Sequence, residues 1–289
     1  MKELHITSLQ NAQVKMWRAL KDSKGRAAHR LFLAEGDHMA GEALKENFVK
    51  TLLVDETAVE RYAMHIAAAR EKDVDLCLMP EHVLASVCDA RTPQGIVAVC
   101  ALPETKKAMN GSEKLLAALD GVQDPGNVGT ILRTLDAAGF DAMLINNKTA
   151  DPYAPKSVRA SMSGLFFTQL CRGTRAEILS ALKGTPVIVA DMDGENVFTF
   201  TSPKDFTLVI GNEANGISNE TQSIATHTVK IPMRETQESL FPASSLKMET
   251  QLLHPAETFT FTTAISFSRV MKRQNPSTRL SPFTTVAAS

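Results

Sequence analysis

The chain has 289 residues, enough for two domains, and its 44% hydrophobic and 22% charged residues are ordinary for a soluble globular protein. No apolar run approaches the roughly 20 residues of a membrane span, and the N-terminus lacks the apolar stretch of a secretion signal. Cys77, Cys88, Cys100 and Cys171 show no paired C-x-x-C spacing, which argues against a metal site or disulfide framework and for a reducing cytoplasm, while a net charge of −1 argues against a uniformly polyanion-binding surface.

Charge is nevertheless concentrated at one end. Residues 1–30 hold seven Lys/Arg against Glu3 and Asp22, a local net of +5 that can neutralise phosphates. Within it, Leu9–Leu20 places Val14, Trp17 and Leu20 on one helical face, so the only tryptophan is expected in a core. Strands are expected at 31–34, 51–54, 75–79 and 96–100, and helices at 37–47, 58–71 and 80–87. Glu35-Gly36 reads as a turn held by the glutamate. This alternation predicts a small α/β domain over residues 1–101, with no defensible nucleophile–base pair, and therefore a binding role.

Residues 102–113 form a polar linker. The next block, 114–240, alternates again, with strands expected at 115–119, 142–146, 186–190, 207–210 and 228–231. Its helices are expected at 128–138, 155–166, 175–183 and 218–224. Short apolar strands separated by helices predict a mostly parallel sheet covered on both faces. The stretch Leu115–Phe140, LLAALDGVQDPGNVGTILRTLDAAGF, is the centre of this block. A buried strand runs into Asp124-Pro125-Gly126, and Asn127 is the expected N-cap of a helix. Val128, Ile131, Leu132 and Leu135 make its buried face, while Gly126, Gly129, Thr130 and Arg133 make a ledge. Helical side chains lean N-terminally, which carries the Arg133 guanidinium over residues with little bulk. Neither G-x-G-x-x-G nor G-x-x-x-x-G-K-[ST] is present, so dinucleotide and P-loop fingerprints fail.

Three further segments share this block. DPYAPKSVRASMSG (Asp151–Gly164) carries Arg159 on a helix after Pro155. LVIGNEANGI (Leu208–Ile217) is a strand entering G-x-E-x-x-G, the pattern of a close backbone approach to a ligand with the Glu213 carboxylate beside it. Ile231-Pro232-Met233 leads to Glu238-Ser239-Leu240. With D-P-G-N-V-G-x-x-x-R-T these segments, in order and at matching spacing, resemble the SpoU/TrmH class of RNA ribose 2′-O-methyltransferases of the SPOUT superfamily. ITSLQNAQVK (Ile6–Lys15), the Arg26–Gly36 segment ending in FLAEG, and TPQGIVAV (Thr92–Val99) resemble the ribosomal-protein-like substrate-binding domain that precedes such catalytic domains. The resemblance spans nearly all of residues 1–240.

That resemblance implies an α/β-knot methyltransferase domain binding S-adenosylmethionine, with Gly211, Ile231 and Leu240 at the matched cofactor positions. Asn127, Arg133, Glu213 and Ser239 occupy the matched catalytic positions. The implied reaction moves a methyl group in line to a ribose 2′-hydroxyl of structured rRNA or tRNA, in a homodimer, without metal. Lys15, Arg26, Arg30 and Arg159 are the implied RNA contacts. A guanidinium does not readily surrender its proton, so Arg133 is read as holding the acceptor ribose-phosphate and stabilising the forming alkoxide, with the base left open.

After Leu240 the pattern departs from the family. Phe241 stands where the family has an asparagine, and residues 241–289 hold 15 Ser/Thr among 49 with no sustained amphipathic period before about Ala264. The tail reads as sequence outside the family's C-terminus, as after a shifted reading frame, rather than as an insertion. This raises a rival expectation, a non-catalytic RNA-binding protein of the same fold. A small-molecule enzyme is the third reading, and the seven histidines offer it no nucleophile–base spacing.

Overall fold

Val14, Trp17 and Leu20 are buried together with Leu33, Leu53, Met79, Leu84 and Val97, so the helical stripe at the N-terminus closes a core as its spacing predicts. The computed structural model describes residues 1–104 and 113–231. These fall into two compact units. One comprises Met1–Glu104 with Asp151–Phe166, and the other holds the described residues of Thr105–Ala150 and Phe167–Ser289. Asp151–Phe166, inside the 114–240 block by sequence, thus packs with the first unit.

The first unit runs β1 (Glu3–His5), α1 (Ala12–Ala19), α2 (Ser23–His29), β2 (Leu31–Glu35), α3 (Asp37–Lys45), β3 (Val49–Asp55), α4 (Ala63–Glu71), β4 (Asp75–Met79), α5 (Glu81–Val87) and β5 (Ile96–Ala101). Its mixed sheet has the order β1-β4-β3-β5-β2, in which β5 runs antiparallel to both neighbours. Strand β1 and helix α2 were not anticipated. The first is three residues long, and the second carries little apolar periodicity. Glu35 is structural, but it does not hold its own turn: its carboxylate accepts the backbone N–H groups of Asp89 (2.8 Å) and Ala90 (3.0 Å), just after α5.

The basic N-terminal segment is partly consumed by this packing. Arg26, expected at an RNA phosphate, is instead 4% exposed. It donates to Asp151 Oδ2 through Nε (3.0 Å) and a terminal nitrogen (2.6 Å), and to the carbonyls of Leu20 (2.9 Å) and Lys21 (2.8 Å). A desolvated guanidinium needs such partners, and once it has them its donors are not offered to a ligand. Arg26 is therefore a framework residue. Arg26→Ala should cost about 3 kcal/mol, because it strips the partner from a partly buried carboxylate and two carbonyls; urea unfolding of the full chain measures it. Lys21 is likewise committed, donating to the Ser86 carbonyl at 2.8 Å. Lys15, Arg18 and Lys24 are exposed, as is Arg30, although one terminal nitrogen of Arg30 donates to the carbonyls of Leu102 (3.4 Å) and Pro103 (3.2 Å).

The second unit opens with β6 (Leu115–Asp120), α6 (Pro125–Ala138) and β7 (Ala142–Asn146). Helices α7 (Pro155–Ser161) and α8 (Gly164–Phe167) follow in the chain, then β8 (Gln169–Gly173), α9 (Arg175–Ala181), β9 (Val187–Asn196), β10 (Phe206–Gly211), α10 (Asn219–Gln222) and β11 (His227–Lys230). The order is β11-β9-β10-β6-β7-β8 and every pairing is parallel, as the alternating pattern predicts. Leu116, Ala118, Ala142, Leu144, Val187, Val189 and Val209 pack one face of this sheet with Leu182. Residues two apart share a face, so the near-continuous apolar runs mean that the other face is buried too.

Three local expectations need correction. Strand β8 at the sheet edge was missed, since QLCRG is short and has one charged residue. The helix expected over 155–166 breaks at Met162 and Ser163, whose φ values of 45° and 79° lie in the left-handed region. Helix α6 starts at Pro125, not Val128, and its N-cap is Asp124, whose carboxylate accepts the Asn127 N–H at 3.0 Å. Proline suits the first helical position because its φ is preset and its missing N–H would be unpaired there. At the other end Gly139 adopts φ 71°, and the Gly139 and Phe140 N–H groups bond back to Asp136 and Leu135, closing the helix.

Candidate active site

The connections from the strands of the second unit diverge at one place. Strand β6 leads through α6 to β7 on one side, whereas β10 leads through α10 to β11, beyond β9 on the other. In an open parallel sheet this reversal leaves a crevice at the carboxyl ends of the two strands, where ligands bind. The loops bordering it, 121–124 and 212–218, carry the first two motifs.

They are tied together by side chains. Glu213 accepts the Gln123 N–H at 3.1 Å and the Asp124 N–H at 3.3 Å, and its Oε1 accepts Asn127 Nδ2 at 2.9 Å. Because Asp124 rather than Asn127 caps α6, the Asn127 amide is left for this contact. A carboxylate accepts only, so it orients the amide nitrogen inward and turns the carbonyl oxygen away. Asn212 crosses the crevice in parallel, donating Nδ2 to the Gly121 carbonyl at 2.8 Å. Its Oδ1 accepts the N–H groups of Ala214 (3.0 Å) and Asn215 (2.9 Å). The Asn212 and Gly216 backbones exchange two hydrogen bonds of 2.8 and 2.9 Å, folding the loop back on itself.

The glycine pattern has a reason other than the one expected. A Cβ on Gly211 would lie 2.5 Å from the Gly216 carbonyl carbon and oxygen and 2.8 Å from the Ile217 nitrogen. The close approach that demands glycine is thus the returning backbone of the same loop. Gly216 is needed for conformation, with φ +65° and nothing within 4 Å of a built Cβ.

Arg133 is half-buried on α6, on the same stripe as Gly126 and Thr130. Gly129, expected on that ledge, is buried with the core face instead. Thr130 and Thr134 bond back to the carbonyls of Gly126 and Thr130, both at 2.9 Å. Gly211 ends β10, and Ile231 follows β11, half-buried. Of the expected site residues the structure brings together Asn127 and Glu213, with Gly211 two residues before Glu213. Ser239, Leu240 and the tail 241–289 lie outside the described residues. In the first unit Arg159 pairs with Asp89 at 2.7 Å, both side chains part-exposed, and Lys15 and Arg30 are exposed.

Sequence reading missed Asp120. This last residue of β6 is 6% exposed and accepts from Asn146 Nδ2 (2.9 Å), Arg175 Nε (3.0 Å), the Ser218 N–H (3.1 Å) and hydroxyl (2.6 Å), and the Thr221 hydroxyl (2.7 Å). A carboxylate directly after an apolar strand was the available signal, since strand ends face the crevice. Among the described residues no group of three or more His, Cys, Asp or Glu could hold a metal ion.

Both carboxylates are acidic for their surroundings. Burial pushes Glu213 up, but the hydrogen bonds from Asn127 and from the backbone of Gln123 and Asp124 outweigh it and hold the group below the ordinary value of 4.5. Burial of Asp120 is likewise outweighed by Ser218, Thr221 and Arg175, so it too lies below its ordinary value. A depressed folded pKa contributes stability that is complete above the unfolded value and lost as pH falls through the folded one. Below roughly pH 5 the melting temperature should therefore fall more steeply in the natural chain than in Glu213→Gln, which has no proton to take up. Thermal melts from pH 7 to pH 3 measure the difference, and parallel acid limbs would contradict it.

Residues 114–247 match the SpoU rRNA Methylase family, and residues 11–98 match the MRM3-like substrate binding domain. The chain is 33% identical over 240 residues to the 23S rRNA (guanosine(2553)-2′-O)-methyltransferase RlmP of Bacillus subtilis, covering 81% of this chain and 93% of that one. It is 29% identical over 256 residues to the 23S rRNA (uridine(2479)-2′-O)-methyltransferase of Streptomyces viridochromogenes, covering 83% and 88%. Among solved structures, an AdoMet-bound rRNA methyltransferase from Sinorhizobium meliloti superposes with a TM-score of 0.75 at 27% identity, covering 94% of this chain and 98% of that one.

Proposed function

Because the chain belongs to the SpoU rRNA methylase family, we propose that it transfers a methyl group from S-adenosylmethionine to a ribose 2′-hydroxyl of ribosomal RNA. The observation that carries the reading is the joining of Asn127 to Glu213 at the crevice between β6 and β10, which brings the first two motifs into one site. The relatives are named as rRNA 2′-O-methyltransferases, and the rival of a non-catalytic RNA-binding protein finds no support among them.

The crevice suits the cofactor. Gly211 ends β10 there, the loops are fixed by Glu213 and Asn212, and Ile217 packs partly buried on the core. Bound S-adenosylmethionine supplies an activated methyl group on a sulfonium, so the protein's own work is orientation and proton handling. Gly211 and Ile231, with Leu240 by family resemblance, hold the cofactor. Asn127 presents its carbonyl oxygen to the acceptor hydroxyl while Glu213 fixes the amide from behind. Arg133 holds the acceptor ribose-phosphate and stabilises negative charge developing on the 2′-oxygen, and Ser239 completes the site by resemblance. The 2′-hydroxyl requirement makes RNA rather than DNA the substrate. Lys15, Arg30 and Arg159 are the RNA phosphate contacts of this reading, and Arg26 is withdrawn from that role.

Family membership also supports a knotted methyltransferase domain, a homodimer and a cytoplasmic location. No described helix is long and apolar enough to cross a membrane. Light scattering should return twice the 31.4 kDa chain mass. The function itself is tested by incubating the protein with ribosomal RNA and labelled S-adenosylmethionine. The expected product is one alkali-resistant dinucleotide bearing label on the 2′-oxygen. Label confined to tRNA would move the substrate, and cofactor binding without transfer to any RNA would favour the non-catalytic reading.

A further inference from the structure

The two carboxylates at the crevice work in opposite directions. Glu213, on the loop after β10, grips the loop after β6 through Gln123, Asp124 and Asn127. Asp120, at the end of β6, grips the exit of the loop after β10 through Ser218 and Thr221. Each side of the crevice thus carries the carboxylate that fixes the other. Asp120 is braced in turn by Asn146 from β7 and by Arg175 from the first turn of α9, whose terminal nitrogen lies 2.9 Å from Oδ1. Arg175 also lies 3.7 Å from Glu220, one residue before Thr221.

We propose that Asp120 and Arg175 are positioning residues for methyl transfer, holding the 212–218 loop from behind so that Gly211 and Ile217 meet the cofactor in register with Asn127 and Arg133. This rests on the methyltransferase reading above. Neither residue touches the transferred group; they act through Ser218 and Thr221. Two hydroxyls and a backbone N–H, all donating to Oδ2, fix the loop in direction as well as distance; the hydroxyls could turn to accept from an amide nitrogen, but the Ser218 N–H could not. Arg175 presents two donors to Oδ1 and so sets the rotation of the carboxylate that Ser218 and Thr221 read. The arrangement separates two tasks: Glu213 fixes the acceptor side of the crevice, and the Asp120–Arg175 pair fixes the cofactor side.

The experiment compares the natural chain with Asp120→Asn, Arg175→Met and Arg175→Lys in the full-length protein. Calorimetric titration gives the S-adenosylmethionine Kd, filter binding gives the RNA Kd, and steady-state assays divide kcat from cofactor KM. Asp120→Asn should raise the cofactor Kd and KM about tenfold and Arg175→Met about threefold, with RNA affinity unchanged. Arg175→Lys, which keeps the charge, should recover part of the loss. A merely structural role would lower the melting temperature without this split between cofactor and RNA. Cofactor affinity within twofold of the natural chain in folded variants would overturn the proposal, and if Asp120→Asn does not fold, the partly exposed Arg175 position decides. Failure of the natural chain to bind S-adenosylmethionine would overturn the methyltransferase reading itself, and the proposal with it.

Discussion

Arg133→Ala should slow methyl transfer by about 100- to 1,000-fold while leaving the S-adenosylmethionine Kd within about threefold, the cost expected for removing a donor aimed at charge that develops in the transition state. In the proposed mechanism the acceptor oxygen gains negative charge as its proton leaves and the carbon–oxygen bond forms. A cation placed in advance stabilises that charge without having to reorganise. Arg133 is placed on rigid ground. It sits on the 14-residue helix α6, whose first turn is capped by Asp124 and whose last turn is closed by Gly139. Val128, Ile131, Leu132 and Leu135 anchor that helix, each contributing about 2 kcal/mol of burial. Lysine is not an equivalent, since it lacks the planar fork that engages a ribose-phosphate at two points, and Arg133→Lys should recover less than a tenth of the lost rate. Single-turnover assays at saturating RNA separate chemistry from binding. An Arg133→Ala enzyme with natural kcat and a weakened RNA Kd would reassign the residue to docking alone.

Much of this architecture was legible because buried parallel strands and amphipathic helices leave strong local patterns. The runs Leu115–Leu119 and Ala142–Asn146, and the stripe of α6, could each be read one at a time. What escaped was set by partners distant in sequence. Strand β1 is three residues whose strand character comes from pairing with β4, about 70 residues away, and Gln169–Gly173 is a strand because β7 offers it an edge. Arg26 looked like a surface cation among surface cations. Only Asp151, 125 residues on, reveals it as a buried one. In the site, the motif residues were found by pattern, but the grip of Glu213 on Asn127 spans 86 residues and that of Asp120 on Thr221 spans 101. The cap of α6 was misread for a local reason. Asp124-Pro125 and Asn127 both satisfy capping chemistry, and the proline decides in favour of Asp124 because it occupies the first helical position at no cost.

Gly211→Ala should abolish measurable S-adenosylmethionine binding, raising Kd by well over tenfold, and should do more damage than Gly216→Ala. The two glycines differ in kind. At Gly216 an added Cβ meets nothing within 4 Å, and the cost is that of holding a side chain at φ +65°, about 1 kcal/mol. At Gly211 the Cβ would lie 2.5 Å from the carbonyl group of Gly216, and these are backbone atoms that cannot swing aside as a side-chain tip can. The loop must open by about an ångström to restore van der Waals distance. Opening breaks the paired Asn212–Gly216 hydrogen bonds, and with them the geometry of Glu213 and of Asn212 on Gly121. One methyl group is thereby felt on the opposite wall of the crevice, at Asn127. Calorimetry on the two variants, with melting temperatures taken in parallel, tests the ranking. Equal cofactor affinity in Gly211→Ala and Gly216→Ala would mean that the loop relaxes without moving its carboxylate, and that Gly211 is there for strand geometry rather than for the crevice.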